Sequence, residues 1–449
     1  MANCPNLGLM QGTSGLLGQL APLTGDRVRV IAIGVLAGYA ALMLAMALGG
    51  FVLAKRTRGA RALDLLGSAA SGGQVARTSG ESWLARCYVA ALFVGLIGFY
   101  VAIPLVVATL LVFTGLALYL LFSLRRVPVK GIILILLVGL GGAWAVLKSL
   151  VSRTGSGAFG LPKTAAELPQ VHRMLQEVAQ KVETSPVDEV YLAPGSSIGV
   201  HQEGRGPFGL FGVKRRVLTL GLSTMQSLTV SEVQAILAHE YAHFSHRDTF
   251  YSRFIYQVSL SIGNALSGLA ATGGLFNYIN PCYWFLWLYH RAYSLLASGF
   301  SRSREFLADR MAARIYGADV FTSALTKVAT EGQLFEMTIY DNINELLNSN
   351  QAFDNMYTAF RGFRDEQLDA EQRKQLYDTL CGERESLFAS HPSFHDRLEA
   401  IAGCPAAAHR DDRSALTLFE DPEGTEKEMT EFLTGWMHHM RTLAASQQG

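Results

Sequence analysis

The sequence predicts a mainly α-helical protein with a small β-sheet and several helices that cross a membrane. Three observations predict it. Long uncharged apolar runs fill much of the first third of the chain, apolar residues recur at helical spacing through most of the rest, and only two short stretches look like strands. Hydrophobic residues make up 50% of the 449 positions and the mean hydropathy is +0.22, high for a water-soluble chain. A net charge of +1 gives no reason to expect nucleic acid. The five cysteines, Cys4, Cys87, Cys282, Cys381 and Cys404, show no C-x-x-C pairing, so neither a disulfide scaffold nor a thiolate metal site is indicated.

Residues 1–29 lack a basic stretch ahead of an apolar core and read as an N-terminal segment rather than a cleaved signal. Residues 30–150 are expected to hold the transmembrane helices. Val30–Leu53 is an uncharged run long enough to cross a hydrocarbon layer of ~30 Å. Lys55, Arg56, Arg58, Arg61, Arg77 and Arg86 then outnumber Asp64 and Glu81, which puts this loop on the cytoplasmic side. Cys87–Leu124 carries no charge, and as one straight helix it would be about 55 Å long. It is either a single long crossing or a hairpin turning near Pro104. Arg125, Arg126 and Lys130 precede a further apolar segment, Gly131–Leu150. A single crossing leaves the remainder of the chain in the cytoplasm, and a hairpin leaves it outside.

Residues 151–330 are expected to form the domain that carries the chemistry. Arg153–Lys163 reads as a linker. Ala165–Val182 is helical, with Leu168, Val171, Leu175, Val178 and Val182 on one face. Val187–Leu192 and Arg216–Leu220 read as strands, with a glycine-containing loop, Gly204–Gly212, between them. Leu228–Asp248 then opens as a helix. Thr229 and Glu232 make a capping box, Leu228 and Val233 a hydrophobic staple, and Val233, Ile236 and Leu237 an apolar stripe. On another face His239 and His243 stand four residues apart, one turn over the other, with Glu240 beside them. This is H-E-x-x-H on a helix: two neutral imidazoles able to hold zinc, and a carboxylate able to take a proton from water on the metal.

A catalytic zinc needs a third protein donor. A histidine six residues past His243 is ruled out because that position is Thr249. Phe254–Phe300 is apolar, with an aromatic cluster at Tyr283–Tyr289, but Asn264, Asn277, Asn280, His290 and Arg291 interrupt it. Embedded or interfacial helices fit this stretch as well as full spans. The next helix, Ser301–Gly317, offers Glu305 and Asp309 on one face and Gly317 as its C-cap. Glu305 is the expected third donor, and Asp309 is expected to hydrogen-bond the far nitrogen of a ligating histidine. The two helices together predict a gluzincin-type zinc domain, completed by residues 331–449, which are polar and helical. There Ser393 and Asp396 cap a helix with Leu398 and Ile401 inward, and Met429–Leu443 is amphipathic. His246 shares the face of His239 and His243 a turn beyond them and reads as a residue beside the metal or in solvent rather than as a ligand; His201 and His395 read as structural.

Three motifs in this order, H-E-Y-A-H-x-x-H-R-D, S-R-S-R-E-F-L-A-D and S-H-P-S-F-H-D-R-L-E-A-I, resemble the integral-membrane zinc metallopeptidases that include HtpX and the CAAX prenyl endopeptidases. The likeness covers roughly Pro162–Ala402. It implies one Zn2+ on His239, His243 and Glu305, Glu240 as the base that activates the zinc-bound water, and His391 as a stabiliser of the oxyanion. It also implies polypeptide substrates, a lipid bilayer as surroundings, and a multi-pass protein of a bacterial inner membrane with its catalytic domain in the cytoplasm. Membrane or misfolded proteins are the expected substrates; prenyl-protein processing and a non-catalytic zinc scaffold are the alternatives. The relatives usually carry an Asn-Ala pair after the first strand, whereas this chain has Pro194-Gly-Ser-Ser-Ile-Gly.

Overall fold

Two of the uncharged runs, those beginning at Cys87 and Gly131, form helices, as their length and composition require. A computed structural model describes residues 79–122, 129–151, 159–204, 214–245, 249–348, 354–367, 370–382 and 391–448, with scattered helical positions between 37 and 52. The expected span Val30–Leu53 lies largely outside the described residues, as do the basic loop after it, most of the Gly204–Gly212 loop, and His246. In order, the elements are α1 (Ser79–Phe122), α2 (Val129–Val151), β1 (Leu161–Lys163), α3 (Pro169–Lys181), β2 (Glu189–Ala193), β3 (Ile198–Gly204) and β4 (Lys214–Gly221). Then follow α4 (Val230–Ser245), α5 (Thr249–Gly273), α6 (Pro281–Tyr316), α7 (Ala318–Lys327), α8 (Gln333–Asn348), α9 (Met356–Gln367), α10 (Ala370–Gly382), α11 (Phe394–Ile401) and α12 (Pro422–Gln448).

Among the described residues two helices, over Ala90–Phe122 and Val129–Leu150, are long and apolar enough to cross a membrane. Helix α1 runs unbroken through Pro104, so the hairpin is not formed there. The two spans pack with α5 and the first half of α6 around Leu92, Phe99, Val106, Val258, Leu286 and Tyr293. Small residues allow the close approach. A Cβ at Gly139 of α2 would fall 1.8 Å from Thr114 Oγ1 of α1, and one at Gly268 of α5 would fall 2.6 Å from the Ala145 side chain of α2. Interhelical contacts of this kind are how helices associate where no hydrophobic effect separates them from lipid. The outer surface stays apolar, with Val112, Leu116, Leu137 and Trp144 exposed.

The second layer holds the sheet, in the order β1-β2-β4-β3. β2 and β4 run parallel, with β1 and β3 antiparallel at the two edges. Two of these strands correct the sequence reading. Leu161–Lys163 pairs with β2 instead of ending a linker, and Ile198–Gly204 is an edge strand. Neither shows a clear alternation of its own, and pairing with a neighbour makes each a strand. Helix α3 starts at Pro169, not Ala165, because Pro at the first helical position has a preset φ and no N–H to satisfy. Its five expected inward residues, Leu168, Val171, Leu175, Val178 and Val182, are all buried. They share one core with β2, β4, α4, α7, α9 and Leu433 of α12.

The larger correction concerns α6. The expected helix Ser301–Gly317 is the second half of a continuous 36-residue helix that begins at Pro281 and packs first in the apolar cluster of α1, α2 and α5. It ends at Gly317, which adopts φ +99° and lies where a Cβ would come 2.3 Å from the Ala407 backbone nitrogen. Only glycine fits there.

Candidate metal centre

Helix α4 is fixed at its start by the expected capping box. Thr229 N donates to Glu232 Oε2 at 2.7 Å, and Glu232 N to Thr229 Oγ1 at 3.3 Å. The Glu232 carboxylate is itself buried, and it accepts from Ser323 Oγ (2.6 Å) and Lys327 Nζ (2.8 Å) of α7. Val233, Leu237 and Tyr241 then sit in the core, which turns His239, Glu240 and His243 toward α6. Arg304 Nη2 of α6 donates to the His243 carbonyl at 2.8 Å, tying the two helices together at the site.

Glu305 meets both histidines. Its Oε2 lies 3.6 Å from His239 Nε2 and its Oε1 lies 3.4 Å from His243 Nε2, and one donor atom from each residue falls within 4.8 Å of the others. A cation bound tetrahedrally at ~2.0–2.1 Å sets its donors about 3.4 Å apart, so two imidazoles and one carboxylate at these separations fit such an ion. The electrostatics fit it too. Burial opposes a charge on His239, yet Asp309 and Glu305 outweigh it and raise the imidazole to about 10. Burial and the neighbouring His239 hold His243 neutral, its value lowered to about 3. Burial would raise Glu305, but His239 and His391 keep its carboxylate well below the ordinary range.

Behind the donors, Asp309 Oδ1 lies 2.9 Å from His239 Nδ1, off the ring's N–H direction. The far side of this buried carboxylate is clamped by Arg397 of α11, with Nε to Oδ2 at 2.9 Å and Nη2 to Oδ1 at 2.6 Å. Phe321 stacks on the His239 ring with centroids 5.8 Å apart. Arg397 did not stand out in the sequence, although it lies six residues after His391 in the S-H-P segment. His391 projects over the donors from the turn before α11, with Nδ1 3.2 Å from Glu305 Oε2 and 68% of its side chain exposed. The hydrogen bond to Glu305 raises its pKa.

Glu240 faces the edge strand. Its Oε2 accepts from Val200 N of β3 at 3.1 Å. Burial raises its carboxyl above the ordinary value, opposed by His239 and the Val200 amide. Just before β3, the stretch that lacks the Asn-Ala pair is braced from the C-terminal helices. Glu336 Oε1 of α8 accepts from Ser196 Oγ (2.6 Å) and Ser196 N (3.3 Å), and Tyr357 OH of α9 donates to the Pro194 carbonyl at 2.9 Å. The same carboxylate oxygen lies 3.2 Å from where a Cβ on Gly195 would be. Glu336 therefore braces this stretch from a distant part of the chain, a contact only the fold reveals.

Comparison with known proteins adds a family. The profile described as Peptidase family M48 matches residues 165–404, more than half of the 449-residue chain. A protein named Protease HtpX homolog from Methylibium petroleiphilum is 31% identical over 179 residues, which is 38% of this chain and 59% of that protein. Protease HtpX of Legionella pneumophila (strain Corby) is 28% identical over 245 residues, covering 51% of this chain and 75% of its own length. A Protease HtpX homolog of Trichormus variabilis is 25% identical over 288 residues, 59% and 86% of the two chains. No solved structure matches significantly.

Proposed function

The chain belongs to peptidase family M48, and on that premise we propose that it is a membrane-bound zinc endopeptidase whose site is built from α4, α6 and the turn before α11. His239, His243 and Glu305 would hold one Zn2+, which when bound supplies Lewis acidity to a water and to the scissile carbonyl. Glu240 takes the proton of the attacking water and delivers it to the leaving amine. Asp309, held by Arg397, keeps His239 in the tautomer that offers Nε2 to the site. His391 donates to the oxygen on which negative charge develops. The observation that carries this reading is the convergence of three donor atoms within 4.8 Å with Glu240 beside them.

Substrate enters as an extended segment. Glu240 touches the outer edge of β3, where no further strand pairs among the described residues, and a peptide added there would present its backbone to Glu240. The open edge and the exposed His391 suit unfolded or membrane polypeptides better than one prenylated tail. The catalytic unit is residues 151–449, and the unbroken α1 supports its lying in the cytoplasm. Metal analysis and casein proteolysis on detergent-purified protein, with and without chelator, test the activity. One zinc per chain and chelator-sensitive cleavage are expected, and chelator-resistant cleavage overturns the reading. Labelling of Gly204→Cys in intact cells by an impermeant maleimide would refute the cytoplasmic placement.

A further inference from the structure

Helix α12 lies beyond residue 404, where the family match ends, and its two halves differ. The first half is acidic and anchored: Glu426 pairs with Arg361 at 2.5 Å, and Glu428 pairs with Lys163 of β1 at 2.7 Å. Past Glu431 there is no acidic residue to the end of the chain, while His438, His439 and Arg441 follow. From His438 onward every side chain whose exposure is described is exposed. Trp436, Met440 and Leu443, spaced i, i+4, i+7, form one apolar stripe, 40%, 45% and 43% exposed. A lone helical end of this length is marginal in water, so a partner surface is called for.

The position of the stripe says which. Phe159 packs edge-on against Trp436, with centroids 4.8 Å apart, and against Phe432 at 5.4 Å. Phe159 follows the end of α2 at Val151 by eight residues, a reach of at most about 28 Å from the membrane span. The stripe thus starts at a contact with Phe159, within that chain reach of α2. It has an aromatic residue at its root, and the segment carries Arg441 and no carboxylate side chain, a net positive amphipathic composition of the kind that lies in a lipid interface.

We infer that the C-terminal half of α12 lies on an anionic bilayer surface, inserting Trp436, Met440 and Leu443 among the headgroups and fastening the peptidase domain to the membrane at a second point. The inference rests on α2 being a membrane span. It is tested on the full-length protein with its five cysteines replaced, reconstituted in vesicles containing phosphatidylglycerol. Single cysteines carrying an environment-sensitive fluorophore are placed by Met440→Cys and Leu443→Cys on the stripe, and by His438→Cys and Ala445→Cys on the opposite face. Leu116→Cys serves as the membrane reference and Gly403→Cys as the aqueous one. Quenching by spin-labelled lipid should be about threefold stronger at 440 and 443 than at 438, 445 and 403, because only one face of an interfacial helix is immersed. Quenching at 440 and 443 no stronger than at 403, while 116 is quenched, overturns the inference and leaves the spans standing. Loss of quenching at 116 instead strikes the span reading, and if 440 and 443 are also unquenched both fall. Energy transfer between labelled copies without lipid quenching identifies the stripe as a self-association surface and likewise overturns it.

Discussion

The two halves of α6 teach how one helix serves two kinds of core, one apolar and one charged. Its first half, up to Phe300, packs Leu286, Tyr289, Tyr293 and Leu296 against the spans. Two side chains there bond to backbone: Tyr289 OH donates to the Gly95 carbonyl, and Ser298 Oγ to the Leu295 carbonyl at 3.2 Å. The second half buries Arg302, Glu305 and Asp309 almost completely. Two of those charges are answered by other titratable side chains, Asp309 by Arg397 and Glu305 by His239, His243 and His391. A buried charge is tolerated only when paired, so the second half is specified by its partners and the first by apolar packing.

Substitutions in the second half should therefore have the largest effects. Glu305→Ala is expected to reduce metal content from one ion per chain to a trace and to abolish proteolysis; full zinc occupancy in elemental analysis would move the third donor elsewhere, His246 being the first candidate. Glu240→Gln should keep fold and metal while kcat drops about 10²–10⁴-fold, the usual contribution of a positioned proton acceptor. Wild-type turnover by that variant would sink the mechanism. Asp309→Ala and Arg397→Ala should each cost roughly 10–100-fold in metal affinity, as for other groups that orient a ligating histidine, measured by competition with a chromophoric chelator. If Arg397→Ala leaves affinity intact, the clamp serves packing alone.

A smaller effect comes with pH. In metal-free protein the raised His239 imidazole contributes stability that is fully present below pH 6.5 and is lost as pH rises toward about 10. Metal binding needs the imidazoles neutral and strengthens in the same direction. The gap in melting temperature between loaded and chelated protein should thus widen from pH 6 to pH 9, and a constant gap would separate His239 from the metal. Smallest of all, Tyr289→Phe in the first half should cost about 0.6–1.7 kcal/mol in detergent unfolding and leave metal content unchanged, the range for hydrogen bonds between membrane helices.

Much of this was legible in the chain. The capping box of α4, the H-E-x-x-H face, the Glu305–Asp309 pair, the Gly317 stop and the uncharged spans follow from local rules of period, capping and length, which act over a few residues. The lack of an Asn-Ala pair after the first strand was visible, but not what braces that stretch, because Glu336 reaches Ser196 from 140 positions away in the chain.

The sequence by itself determined which helix faces carry imidazole and carboxylate, and that Cys87–Leu124 and Gly131–Leu150 are long and apolar enough for a bilayer. Only the tertiary structure decided that α6 is one rod from the membrane helices to the site, that Ile198–Gly204 becomes the edge strand touching Glu240, and that Arg397 neutralises Asp309. The reason is physical. Periodicity and capping are satisfied within a turn or two, whereas a buried charge or a strand edge is satisfied by whichever group the packing brings to it, and that choice is made across the whole chain.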